Sequence, residues 1–179
     1  MRALVLRQGG SLEKLAALSG LGKKELGAVA TGEIVPTINL LWKIANALGV
    51  PFGSLISARQ RGGMFVMRKA KKDIIASSDG RFTSRSLFPH DSKRLIEFYE
   101  LTIAPRHTAH SEAHTPGTLE SLVVVRGDIE ITAGKEPTQR LEAGDAIVFE
   151  GDVPHTYCNL GSSEALLYLV MSYINLIEA

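Results

Sequence analysis

The hydrophobic period of this chain changes once, near residue 57, and that change divides what the chain can fold into. Before it, Leu12, Leu15, Ala16, Leu26, Val29, Leu40, Leu41, Ile44, Ala45 and Leu48 recur at three- and four-residue intervals, the spacing that lays apolar side chains along one stripe of a helix. After it, runs at 95–103, 119–125, 128–132, 146–149 and 165–173 are rich in β-branched and aromatic residues and are parted by Gly, Pro, Asp and Asn, as in short strands joined by tight turns. The expected fold is therefore α+β in two domains, an all-α unit followed by an all-β barrel or sandwich. Its divisions are a helical domain at 1–57, a basic, glycine-containing linker at 58–67 and a β domain at 68–179.

Caps and breakers subdivide the helical part. A first helix is expected over 1–8, stopped by Gly9-Gly10. Ser11 caps a second that ends near Ser19-Gly20, a third runs from Lys23 to about Ala30, and a fourth starts near Thr37 and stops at Gly49. A last short turn covers 51–56.

Composition narrows the function classes. The 179 residues carry a net charge of +1, 22% charged and 45% hydrophobic residues, which excludes a disordered or collagenous chain. No run approaches the roughly 18 apolar residues of a membrane helix and no signal-peptide order opens the chain, so a cytoplasmic protein with no membrane partner is expected. The single Cys158 has no internal disulfide partner and reads as a core residue. Charge is uneven: residues 1–60 hold seven Lys/Arg against three Asp/Glu, net +4, and residues 61–179 hold thirteen against sixteen, net −3. The front is the half suited to a polyanion.

In that front half, Ser11-Leu-Glu-Lys-Leu-Ala-Ala-Leu-Ser-Gly20 and Leu21-Gly-Lys-Lys-Glu-Leu26 join two short helices through a glycine turn, with apolar residues to lock them and lysines at the start of the second. Such a pair presents its second helix to a major groove. Residues 11–56, ending in Pro36-Thr-Ile-Asn-Leu-Leu-Trp-Lys-Ile-Ala-Asn-Ala-Leu-Gly-Val50, resemble the lambda-repressor (XRE) type of helix-turn-helix. The resemblance implies binding to a double-stranded DNA operator, with Lys23, Lys24, Ala28 and Thr31 on the reading helix and Thr37, Asn39 and Lys43 near the phosphates. Leu12 stands where many members place a glutamine, and Ala28 and Ala30 replace polar residues, so few side chains are left to hydrogen-bond base edges. The other reading of these helices is a bundle used for oligomerisation, and Trp42 reads as a packing residue.

The rear half holds two spaced motifs, His114-Thr-Pro-Gly-Thr-Leu-Glu120 before Gly127, and Gly144-Asp-Ala-Ile-Val-Phe-Glu-Gly-Asp-Val-Pro-His155 before Asn159. They resemble the two motifs of the cupins, small antiparallel β-barrels. Metal-binding cupins carry a second histidine where this chain has Pro116. His114, Glu120 and His155 remain, a two-His-one-carboxylate set suited to Fe(II), Mn, Ni or Zn, with His110 or His107 as a possible replacement for the missing ligand. Alternation places Glu120, Leu122 and Val124 on one face and His155, Tyr157 and Asn159 on another, so His110, Leu122, Val124, Tyr157 and Asn159 are the expected lining of a ligand pocket. Hydrogen bonding among these histidines, Tyr157 and an organic ligand, without metal, is the alternative.

Together the halves resemble bacterial regulators that place an XRE helix-turn-helix ahead of a cupin sensor. The expectation is a transcriptional regulator that senses a small-molecule effector, with or without a divalent metal, and dimerises through its cupin domain. An iron-dependent cupin oxygenase or epoxidase carrying a helix-turn-helix is the rival, in which the same three residues would be catalytic.

Overall fold

A computed structural model describes residues 11–56, 66–70, 74–89 and 95–174. The expected helix over 1–8 and residues 58–65 of the expected linker at 58–67 lie outside them.

Four helices open the described chain: α1 (Leu12–Ser19), α2 (Lys23–Thr31), α3 (Ile38–Leu48) and α4 (Gly53–Ile56). Their ends fall where the cap residues place them. Ser11 accepts from the Lys14 N–H and Thr37 from the Leu40 N–H, satisfying amides that have no partner within their helix. Gly20, Gly32 and Gly49 close α1, α2 and α3 in the left-handed conformation that glycine adopts at no steric cost. Leu15, Leu26, Leu40 and Ile44 form the core of this unit, with Leu26 and Ile44 fully buried.

Ten strands follow: β1 (Ile74–Ala76), β2 (Phe82–Ser86), β3 (Ile96–Ile103), β4 (Thr108–Ser111), β5 (Thr118–Arg126), β6 (Asp128–Ala133), β7 (Gln139–Glu142), β8 (Ala146–Glu150), β9 (His155–Asn159) and β10 (Ala165–Tyr173). A six-stranded sheet in the order β1-β2-β3-β10-β5-β8 faces a four-stranded sheet in the order β4-β9-β6-β7, and every pairing is antiparallel. Strand β10 alternates strictly: Ala165, Leu167, Leu169, Met171 and Tyr173 are buried and the residues between them are not. Gly127 makes the turn between β5 and β6, where its φ of +114° and the nearness of Ala165 both require the absence of a Cβ.

The two units share one apolar core. Leu41, Ala45 and Phe52 of the helical part pack with Tyr99, Leu101, Leu122 and Met171 of the barrel. Helix α3 is thus buried on two sides, Leu40 and Ile44 toward α1 and α2, Leu41 and Ala45 toward the barrel. Glu97 pins the segment after α3, accepting from the Gly53 N–H at 2.6 Å and from the hydroxyls of Tyr99 and Tyr173. Among the described residues no helix is long and apolar enough to cross a membrane.

Candidate functional site

The site is assembled by two loops and two strands of the barrel. Glu120 points inward from β5, and His155 is the first residue of β9. His114 precedes β5 in a loop held on one side by its own N–H to the Gly151 carbonyl at 3.0 Å and by the Gly117 N–H to Asp152 at 2.8 Å. All three side chains are buried, Glu120 completely. Their ligand atoms lie within 4.8 Å of one another, with Glu120 Oε1 at 2.9 Å from His114 Nε2 and 3.4 Å from His155 Nε2. The second oxygen, Oε2, accepts from the Tyr157 hydroxyl.

Burial disfavours charge on each of the three. It holds the His114 imidazole below its ordinary pKa. At His155 and Glu120 burial is outweighed by their mutual attraction, together with His114: His155 is raised, and Glu120 sits well below the usual carboxylate range.

These residues fit a divalent metal. His155 Nδ1 lies 2.8 Å from the Val153 carbonyl, which fixes its proton there and turns the Nε2 lone pair toward Glu120. His114 Nε2 and His155 Nε2 both face Glu120 Oε1, and of these buried atoms His155 Nε2 and Glu120 Oε1 make no hydrogen bond among the described residues. Converging lone pairs of this kind call for a cation between them. Such an ion would be held by His114, Glu120 and His155 and would supply a Lewis-acidic centre with open positions.

A small cavity of about 40 Å³, partly open to solvent, adjoins this set. Phe82, Leu101, Leu169 and Met171 make its apolar wall, and Ser84, His110, Ser111 and Tyr157 its polar positions. Its remaining wall comes from the helical unit: Ile38, Asn39 and Trp42 of α3, with Phe52. Trp42 lies flat on His114, the ring centroids 3.6 Å apart.

Comparison with known proteins identifies the architecture. Residues 1–55 match the helix-turn-helix family and residues 99–171 the cupin domain family. The chain is 30% identical over 173 residues, 97% of its length and 92% of the relative's, to the HTH-type transcriptional regulator SutR of Escherichia coli strain K12. The chain belongs to the XRE-type helix-turn-helix regulators with a cupin domain. A solved HTH_3 family transcriptional regulator from Vibrio cholerae is similar to this XRE–cupin regulator with a TM-score of 0.76 and 27% identity, over 96% of this chain and 92% of that one. The hydroxypropylphosphonic acid epoxidase from S. wedmorenis shares the fold, with a TM-score of 0.52 and 18% identity over 96% and 94% of the two chains.

In this XRE–cupin regulator the residues singled out from sequence divide into those that face solvent and those that do not. Lys23 and Lys24 are exposed at the start of α2, Lys23 within 3.4 Å of Glu13. Ala28 is half-buried, and Thr31 is exposed with its hydroxyl turned back onto the Gly27 and Ala28 carbonyls. Thr37 is spent on capping α3. Asn39 is exposed and also lines the cavity, and Lys43 is partly exposed and pairs with Glu112 at 3.1 Å.

The pocket expectation needs correction. His110 and Tyr157 line the cavity, but Leu122 and Val124 are core residues off its wall. Asn159 is structural, its side-chain amide donating to the carbonyls of Ile103, Ala104 and Ser163. His107 lies by Asp79, and neither it nor His110 joins the three-residue group. Sequence reasoning missed Trp42, Asn46 and Glu97. The signal was in α3, whose Ile38, Leu40, Leu41, Trp42, Ile44 and Ala45 are too many for a single stripe and imply burial on two sides.

Proposed function

We propose that this regulator binds a DNA operator through α2 and changes its affinity when the barrel takes up a small-molecule effector, with a divalent metal held by His114, Glu120 and His155. The observation that carries the reading is the position of the cavity. His114 and Glu120 of the buried set form part of its lining, and another part is α3, the helix that shares a core with the reading helix. An occupant touching both units favours one arrangement of them over another, and that difference is the free energy available for regulation.

On the DNA side, Lys23 and Lys24 supply the charge and Ala28 and Thr31 the surface near the bases. Two copies related by a two-fold axis would present their α2 helices about 34 Å apart, one turn of the duplex. The barrel supports such a homodimer: Val123 and Val125 of β5 and Val148 of the neighbouring edge strand β8 are 43%, 41% and 64% exposed on the outer face of the large sheet, an apolar surface suited to a second copy. The protein would work in the cytoplasm.

We read the site as a binding site and not a catalytic one, in line with the relatives that match nearly the whole chain at 27–30% identity, which are transcriptional regulators. The test compares the affinity of full-length protein for the DNA upstream of its own gene in chelator and with Zn(II) added. Regulation by the barrel predicts different affinities. Equal ones would overturn it.

A further inference from the structure

We infer that Trp42 is the side chain through which the DNA-reading domain registers the state of the barrel site. The inference rests on the regulator reading above and specifies how its two halves communicate. Trp42 sits in a stack of three rings that crosses the domain boundary: Phe52 at 4.3 Å with planes 20° apart on one face, His114 at 3.6 Å with planes 17° apart on the other. Of these, His114 belongs to the converging donor set, is 6% exposed, and keeps a buried ring nitrogen without a partner.

The loop carrying His114 is gripped by the same helix on both sides of that residue. Lys43 pairs with Glu112, the Asn46 amide donates to the Ala113 carbonyl at 2.9 Å, and the Thr115 hydroxyl donates to Asn46 at 3.3 Å. On its opposite side α3 places Leu40 and Ile44 in the same small core as Leu15 of α1 and Leu26 of the reading helix. An ion must meet the lone pair of an imidazole in the ring plane, so binding sets the plane of His114. Trp42, packed flat on that plane, is set with it, and an eleven-residue helix has no internal joint to absorb the change. The contacts run from the donor set through His114, Trp42 and α3 into the core that α3 shares with α1 and α2. A hydrogen-bonded loop alone would hold α3 in place; the ring stack additionally makes its placement depend on what His114 is doing.

The chain has one tryptophan, so its indole emission reports on this stack alone. Zn(II), which has no redox chemistry or open shell of its own, is the probe. Added to metal-free full-length protein, it is expected to change Trp42 emission with saturation at one ion per chain, and His155→Ala is expected to abolish the change. For the DNA upstream of its own gene, the ratio of dissociation constants with and without Zn(II) should be about fivefold or more, within the usual range for coupled sites. Trp42→Leu should bring that ratio to within about twofold of one, and Trp42→Phe, which keeps a ring on His114, should restore most of it.

The outcomes separate the two ideas. A Trp42→Leu protein that binds Zn(II) by calorimetry and keeps the full ratio overturns the role of Trp42 and leaves the regulator reading standing. A wild-type ratio of one overturns both. If Trp42→Leu does not fold, the wild-type titration decides: calorimetric Zn(II) binding at the His155 site with no change in Trp42 emission overturns the inference.

Discussion

The indole of Trp42 and the imidazole of His114 lie 3.6 Å apart and 17° from parallel, one ring on a helix of the reading domain and the other in the barrel site. Neither domain is complete without the other at this point. The barrel leaves a cavity whose wall is finished by α3, and α3 has a barrel-facing side, Leu41, Trp42 and Ala45, that is covered only when docked. The two units thus meet at the site itself, the geometry on which the proposed coupling rests.

One divalent ion per chain is expected at His114, Glu120 and His155. Calorimetry with Zn(II) should give a stoichiometry of one, and His155→Ala should weaken binding by at least roughly tenfold, since removing a ligand costs no less than removing its supporting hydrogen bond. Unchanged binding in that variant would place the ion elsewhere.

Gly151 is the neighbour that leaves Glu120 its room. A Cβ there would stand 3.0 Å from Glu120 Cγ and 3.1 Å from its Oε1, so Gly151→Ala must push the carboxylate off its place by a few tenths of an ångström. The expected outcome is Zn(II) binding weakened by about tenfold, with a stability loss of about 1 kcal/mol. Wild-type affinity, measured in the same titration, would show that Glu120 is not a ligand.

At Gly127 the obstacle is structural and not functional. Its φ of +114° is strained for any L side chain, and an added Cβ would meet Ala165 Cβ at 2.7 Å. Gly127→Ala should cost about 2 kcal/mol or more in urea unfolding. Little change would mean that the turn and β10 can separate.

Acid sensitivity is expected from the pair on the outer side of β2 and β3. Hydrogen bonds from Arg85 hold the Glu100 carboxyl below its ordinary pKa, and Lys69 at 3.3 Å adds to this. A depressed carboxylate stabilises the fold above its unfolded pKa, and that contribution disappears as the pH falls through its folded value. Glu100→Gln should therefore be less stable than wild type at neutral pH, with the difference narrowing as the pH drops below 4. A constant difference across that range would assign the loss to packing and not to charge.

Much of this architecture could be read before any coordinates, and the parts that could not share a cause. Helix ends followed from Ser11, Gly20, Thr37 and Gly49, because caps act locally. Strands β3, β5 and β10 followed from runs of β-branched and aromatic residues bounded by turn residues. Strands β2 and β7, Phe-Thr-Ser-Arg-Ser and Gln-Arg-Leu-Glu, carry almost no alternation and form because a neighbouring strand is there to pair with them. The donor set His114, Glu120 and His155 stood out through its motif spacing. The cavity wall did not, since parity along β5 tells which face Leu122 and Val124 share with Glu120 but not how deep each lies. That Lys43 would also pair with Glu112 beside the barrel site was not legible either, since it depends on how the two units dock.

The most direct measurement is the salt dependence of binding to the double-stranded DNA upstream of the protein's own gene, for wild type and for Lys23→Ala with Lys24→Ala. If α2 reads the duplex, wild-type affinity falls steeply with salt, and the double variant binds more weakly with a log–log slope shallower by roughly one for each lysine lost per copy. Identical affinity and slope in the two proteins, or no binding by wild type at low salt, would show that α2 does not contact DNA.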